Sequence, residues 1–232
     1  MRRGEDLVRH VGEVEEEVDL WKGLGVGEVA IGVDAEVELS LLPPVLAAFV
    51  PEHPGVHVTV RSGHTDTLLP ALHAGDLHFI VADSELAVEH HDLEIRRLAA
   101  DPIAAALRPG HPLQDVAQVT PQQMMSFPVA GAFTAPRYER HTAEQSRILG
   151  VKPLVASLVS DNYEVLVRLG ESSDTIVIGP RSLLATYAQS SRLLVMDWAL
   201  DGPHTSPSLI YSRGRYFSPA AERLLQLFQD ES

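Results

Sequence analysis

Cysteine is missing altogether from the 232 residues. Disulfides, a thiol nucleophile and thiolate metal sites are thereby excluded. Lysine is almost missing too: Lys22 and Lys152 stand alone, and arginine supplies the rest of the 18 cations. Against them are 32 acidic residues, for a net charge of −14. Binding to phosphates needs clustered Lys and Arg, so nucleic-acid binding by this stretch is not expected. No apolar run approaches the ~18 residues of a membrane span. The residues after Met1 are charged and form no apolar signal core, so the sequence reads as cytoplasmic, with no membrane partner. At 45% apolar and 22% charged, the composition is that of a globular chain. It is long enough for one large domain or two small ones.

Catalytic signatures are missing as well. The sequence has no Gly-x-Ser-x-Gly, no P-loop and no His-Glu-x-x-His. Its 11 histidines make no recognisable triad with Asp161 or Asp174. An enzyme is therefore not expected, and no cofactor is implied. Glu89-His90-His91-Asp92 has the residue types of a metal site. Adjacent histidines on a strand point to opposite faces, however, and ligands usually sit at i, i+4 or far apart. The segment is read as a polar turn, with no metal ligand expected.

Three zones are present. In residues 1–25, Leu7, Val11, Val14, Val18 and Trp21 are spaced 4, 3, 4, 3, which is a heptad seam. Glu13, Glu15, Glu16, Glu17 and Asp19 surround it. Such a stripe is covered either by a partner chain, giving a homodimer or homotetramer, or by the rest of its own chain. Gly23 and Gly25 end this linker helix as a hinge.

From Glu28 strands and helices alternate. Strands are expected at Val29–Val33, Val56–Arg61 and Asp76–Ala82, with helices at Leu41–Phe49 and Thr65–Ala74 between them. That βαβαβ order implies a parallel sheet. The second half repeats the alternation. Strands are expected at Ile103–Leu107, Phe127–Ala130, Val155–Val159, Thr175–Ile178, Leu193–Met196 and Leu209–Ser212. Helices are expected after Thr120, over Tyr138–Leu149, over Asn162–Leu169 capped by Ser160 or Asp161, and from Ser218 to the C-terminus. Two α/β lobes of similar size fit this pattern.

Five motifs in order resemble those of one family. They are Ile31-Gly32, Leu41-Leu42-Pro43 with Phe49 and His53-Pro54, Leu72 to Leu77 with His78 where Asp is usual, His111-Pro112-Leu113, and Gly214-Arg215 through Ser218-Pro219-Ala220-Ala221. Together they resemble the effector-binding domain of LysR-type transcriptional regulators. Gly4-Glu5, Leu7 and His10 resemble the end of that family's winged helix-turn-helix domain, so the DNA-reading helices are expected to be absent from this chain. The resemblance implies two Rossmann-like lobes joined by two crossover strands, as in type II periplasmic binding proteins. Lobe I would comprise 28–98 plus 208–232, and lobe II 99–207. A small-molecule effector would bind between them and be relayed to a DNA-binding domain. A solute-binding protein of the same fold is the alternative; the missing signal core and the heptad helix oppose it.

Site residues follow by position in the resemblance. Asp34, Ala35 and Glu36 form the turn after the first strand, with Glu36 where Ser or Thr is common. Glu36 either holds a ligand amine or hydroxyl, keeps simple dicarboxylates out by repulsion, or merely caps its own helix. His64 and Thr65 precede or open the next helix, and Thr65 serves as a ligand contact, an N-cap or both. Pro136 and Tyr138 would line the second lobe, and Asp161 begins another helix.

Overall fold

Strand residues in this chain are apolar on both faces where helices cover both sides of the sheet, and the first strand shows why. In β1 (Val26–Val33), Val29, Ile31 and Val33 are fully buried on one face, and Ala30 and Gly32 lie on the other. The computed structural model describes residues 26–116, 119–132, 147, 155–190, 192–196 and 204–231. The chain divides into two compact units. Unit 1 ends at Ala99 and resumes at Ser206; unit 2 is Ala100–Thr205.

In unit 1, β1 is followed by α1 (Ala35–Leu39), α2 (Leu42–Glu52), β2 (Gly55–Ser62), α3 (Thr65–Ala74), β3 (Phe79–Asp83), a 3-10 turn (Ala87–Glu89) and β4 (Leu93–Arg97). After the excursion into unit 2 come β11 (Pro207–Ser212) and α7 (Pro219–Asp230). The sheet order is β2-β1-β3-β11-β4. β1 pairs in parallel with β2 and β3, whereas β11 runs antiparallel to both β3 and β4. The expected parallel sheet is thus extended into a mixed one.

Side chains at period 2 fill two cores. On one face, Ile31, Val33, Phe79 and Val81 pack with Val45 and Phe49 of α2 and with Leu224 and Phe228 of α7. Phe79 stands edge-to-face with Phe217 and Phe228, at 6.3 and 6.1 Å. On the other face, Ile80, Ala82 and Ile210 meet Leu68, Leu69 and Leu72 of α3. Gly32 lets α3 approach closely: a Cβ there would lie 3.0 Å from Leu77 Cδ1 and 3.1 Å from Leu68 Cδ1. Gly75 closes α3 in the left-handed region at φ 84°, where a side chain would be strained.

Unit 2 contains β5 (Asp101–Leu107), α4 (Pro121–Met124), β6 (Val129–Gly131), β7 (Leu158–Val159), α5 (Tyr163–Ser172), β8 (Ile176–Pro180), α6 (Arg181–Gln189), β9 (Leu194–Met196) and β10 (His204–Thr205). Among the described residues the sheet runs β10-β5-β8-β6-β7, with β9 also on β5. β5 is antiparallel to β8, β9 and β10, and β6 is parallel to β7 and β8. Ala104, Ala106 and Val177 pack under Leu166 and Val167 of α5 and Leu183 and Leu184 of α6. Ile103, Leu107, Ile176 and Ile178 form the opposite core with Leu113 and Met124.

Several expected boundaries shift. The helix expected over Leu41–Phe49 is α2, with Pro43 and Pro44 in its first turn and its end extended to Glu52, whereas Ala35–Leu39, read as part of a turn, forms the separate short helix α1. The strand expected from Asp76 starts at Phe79, since Asp76 to His78 complete the turn after Gly75. The helix after Thr120 is a single turn held by a capping box, in which Thr120 N donates to Gln123 Oε1 (2.9 Å) and Gln123 N to Thr120 Oγ1 (3.3 Å). Asn162, not Ser160 or Asp161, caps α5: its Oδ1 accepts from Glu164 N and Val165 N, at 3.1 and 3.3 Å. β4 and α6 were not read from the sequence. The heptad residues Leu7, Val11, Val14, Val18 and Trp21, together with Pro136 and Tyr138, lie outside the described residues.

Candidate effector-binding site

Parallel strands bring their C-terminal ends to one edge of a sheet, and in open α/β sheets ligands bind at such an edge. In unit 1 that edge is formed by Val33, Ser62 and Asp83, the last residues of β1, β2 and β3. Helices α1 and α3 begin there, at Ala35 and Thr65. The antiparallel β11 starts at the same edge, with Pro207 opposite Asp83.

Two side chains anchor both helix starts to β3. Asp34 has extended backbone, and its Oδ1 accepts from Val37 N (2.9 Å), capping α1. Its Oδ2 accepts from Asp83 N (3.0 Å), and its own N–H donates to Val81 O (3.3 Å). Thr65 is buried, and its hydroxyl donates to Asp83 O at 2.6 Å. Asp34 and Thr65 therefore converge on the two sides of one peptide residue, Asp83. Next to it, Ser208 Oγ lies 3.1 Å from Ser84 Oγ, and both serines are buried.

The residues expected at this site are distributed as follows. Asp34 supplies the cap of α1; Ala35 and Glu36 form its first turn, and Glu36 is half-buried. His64 occupies the N-cap position of α3 in extended conformation but makes no side-chain capping bond, and its side chain is exposed. Thr65 is the first helical residue rather than the cap. Asp161 is exposed at the start of α5 in unit 2. Asp83, Ser84 and Ser208 were not singled out from the sequence. The one available signal was a polar run directly after the buried strand β3.

His78, standing where the family has Asp, is buried; its Nδ1 accepts from Ala30 N (3.1 Å) while its own N–H donates to Ala30 O (2.7 Å). It extends the β1–β3 contact by one residue and is structural.

In unit 2 the polar bonds hold helices in place. Asp101 of β5 receives the Ser182 N–H at 3.2 Å and the Ser182 hydroxyl, fixing the start of α6. Arg192 bridges Glu171 and Glu164 of α5, with Nη2 2.9 Å from Glu171 Oε2 and 3.2 Å from Glu164 Oε1. The Arg192 guanidinium holds both carboxyls below the usual range. His111 is buried: Nδ1 accepts from Leu113 N (3.0 Å), which leaves Nε2 to donate to Asp174 O (3.2 Å). Arg108 Nη2 pairs with Asp174 at 2.7 Å.

The family model of the LysR substrate binding domain matches residues 22–232. The chain belongs to the LysR substrate-binding domain family. It is similar to the SDS degradation transcriptional activation protein of Pseudomonas sp. (strain ATCC 19151), 28% identical over 215 residues, covering 90% of this chain and 68% of that protein. The regulatory domain of MexT, a transcriptional activator in Pseudomonas aeruginosa, matches with a TM-score of 0.75 at 18% identity, over 88% of this chain and 100% of that one. The effector binding domain of QuiR in complex with shikimate matches with a TM-score of 0.65 at 17% identity, over 88% and 96%. This LysR domain is thus a ligand-sensing regulatory domain with an α/β fold, from a family of transcriptional regulators. Among the described residues no helix is long and apolar enough to cross a membrane.

Proposed function

We propose that this LysR domain senses a small hydroxylated or anionic metabolite at the C-terminal edge of the unit 1 sheet. The observation that carries the reading is the start of α3. Its N-cap residue makes no side-chain capping bond, although Asp66 Oδ1 takes the Thr67 N–H (2.8 Å); the helix opens beside a buried hydroxyl and sits at the strand ends where α/β sheets bind ligands. First-turn amides and the helix dipole favour an oxygen-rich or negative group there. Thr65 donates its proton to Asp83, so its lone pairs accept from a ligand hydroxyl.

Glu36 and Glu38 in the first turn of α1 place negative charge close by in the chain. Glu36 selects against simple dicarboxylates by like-charge repulsion. By their positions in the family resemblance, Asp161, Pro136 and Tyr138 are proposed as further effector contacts. Effector binding shifts the population between conformations of the domain, and a DNA-binding domain reads that shift. The domain works as a homodimer or homotetramer, with the seam from Leu7 to Trp21 as a helical contact; light scattering showing a monomer at micromolar concentration opposes this.

A thermal-shift screen of small hydroxy acids, shikimate among them, tests the sensing reading. A ligand at 100 times its Kd stabilises by about 2.7 kcal/mol. A hit whose affinity is raised by Glu36→Ser supports the reading; equal affinity for carboxylic acids in both proteins removes Glu36 from the site.

A further inference from the structure

Away from that edge, the other end of α3 carries a second constellation. His73 stands in the last turn of α3, and His90 and Asp92 flank a turn after the 3-10 segment. One ligand atom from each of the three lies within 4.8 Å of the others. His73 Nε2 and Asp92 Oδ2 are 3.6 Å apart. The two imidazoles meet edge-to-face, with centroids 5.3 Å apart and planes at 76°.

We propose that His73, His90 and Asp92 form a binding site for a divalent transition-metal ion of the zinc class. Two imidazole nitrogens and a carboxylate oxygen suit zinc, cobalt, nickel or copper and not magnesium or calcium. Bonds of about 2.0–2.2 Å in tetrahedral geometry put ligand atoms roughly 3.3–3.6 Å apart. The His73–Asp92 pair already has that spacing, and rotation of exposed side chains brings His90 in. Rings in different planes can both aim a nitrogen at one ion.

The backbone around the site is fixed. Gly75 N donates to Leu72 O (3.1 Å), ending the helix two residues beyond His73. His90 N donates to Ala87 O (3.1 Å), Leu93 N to His90 O (3.2 Å) and Arg213 N to Asp92 O (2.8 Å). Solvent supplies the remaining position, since all three residues are exposed. Bound metal would tie the end of α3 to the turn before β4. His91, although adjacent in sequence, is outside the cluster.

Titration of zinc chloride into the whole chain by calorimetry tests this. One equivalent is expected at this site, with affinity falling at least about tenfold in His73→Ala, His90→Ala and Asp92→Asn, because losing a ligand costs no less than losing a group behind it. His91→Ala should bind like wild type, and magnesium chloride should not bind here. His73→Gln repeats the loss with a longer side chain in place, and melting in the presence of EDTA should match wild type for every variant. The d–d absorption of added cobalt should weaken in the same three variants. No zinc uptake, or uptake equal in wild type and all three ligand variants, would overturn the site and leave His73–Asp92 as a plain surface ion pair.

Discussion

Both units use an aspartate carboxylate to hold a helix start, but they stabilise themselves by different means. Unit 1 has an aromatic core, with Phe49, Phe79, Phe217, Tyr211 and Phe228 in or against one cluster. Its polar bonds at the sheet edge, from Asp34 and Thr65 to Asp83, join elements far apart in sequence. Unit 2 packs alanine, valine and leucine tightly around Tyr163, and uses arginine–carboxylate pairs at its margins. Close approach takes the place of bulk there: a Cβ on Gly179 would fall 2.7 Å from Tyr163 Cε1. The contrast assigns bulky burial and a cross-linked polar edge to the unit with the candidate sensing rim, and small-residue packing to the other.

The largest expected effect breaks unit 1 at its core. Phe79→Ala removes a fully buried ring with two edge-to-face neighbours and should cost about 3–5 kcal/mol in urea denaturation. Next is the polar edge. Asp34→Ala deletes a helix cap and strands the Asp83 N–H, for roughly 2–3 kcal/mol, whereas Asp34→Asn keeps an acceptor and should cost less. In unit 2, Gly179→Ala should cost about 1–3 kcal/mol by overpacking. Most of that should be recovered when Tyr163→Leu is added, a coupling that equilibrium denaturation of the double mutant reads.

The smallest effects come from titration, and they separate the units by pH. Glu164 and Glu171 have folded pKa values depressed by Arg192. Their stabilisation is fully present above the unfolded carboxylate value of about 4.3 and is lost as pH falls through the lower folded values. Arg192→Gln should flatten that acid-side slope in melting temperature. In unit 1, burial and then the hydrogen bond to Glu94 push the Tyr211 phenol up to about 12. Its stabilisation is present below the unfolded value of about 10 and is lost as pH rises through about 12. Tyrosinate absorbance during alkaline titration should show a late-titrating component from Tyr211, moved earlier by Glu94→Gln.

Much of unit 1 was legible because its signals are local. Alternating apolar strands, prolines at helix starts and Gly75 at a helix end each follow from a few neighbouring residues. β4 was missed because Leu93–Arg97 carries charges at Glu94, Arg96 and Arg97, and β11 makes it a strand. α6 was missed because its start is fixed by Asp101, 81 residues away. The candidate rim was half legible. Asp34, Thr65 and the helix opening at Thr65 follow from position, but the short helix α1 was read as a turn and Asp83 gains its role only when β3 pairs beside β1. The turn at His90 to Asp92 was dismissed as a metal site on the adjacency of its two histidines, and His73, the ligand atom that completes the cluster, comes from another element.

On the proposed function, the start of α3, with the Thr65 hydroxyl, takes part in holding the effector. Calorimetric titration of the tightest hydroxy acid from the screen into wild type, Thr65→Val and Thr65→Ser tests it most directly. A neutral hydrogen bond to a ligand hydroxyl is worth about 0.5–1.5 kcal/mol, so Thr65→Val should weaken binding by about two- to tenfold. Thr65→Ser, which keeps the hydroxyl, should bind within about threefold of wild type, a difference below 1 kcal/mol. Equal affinity of wild type and Thr65→Val, with both proteins folded, would contradict the claim.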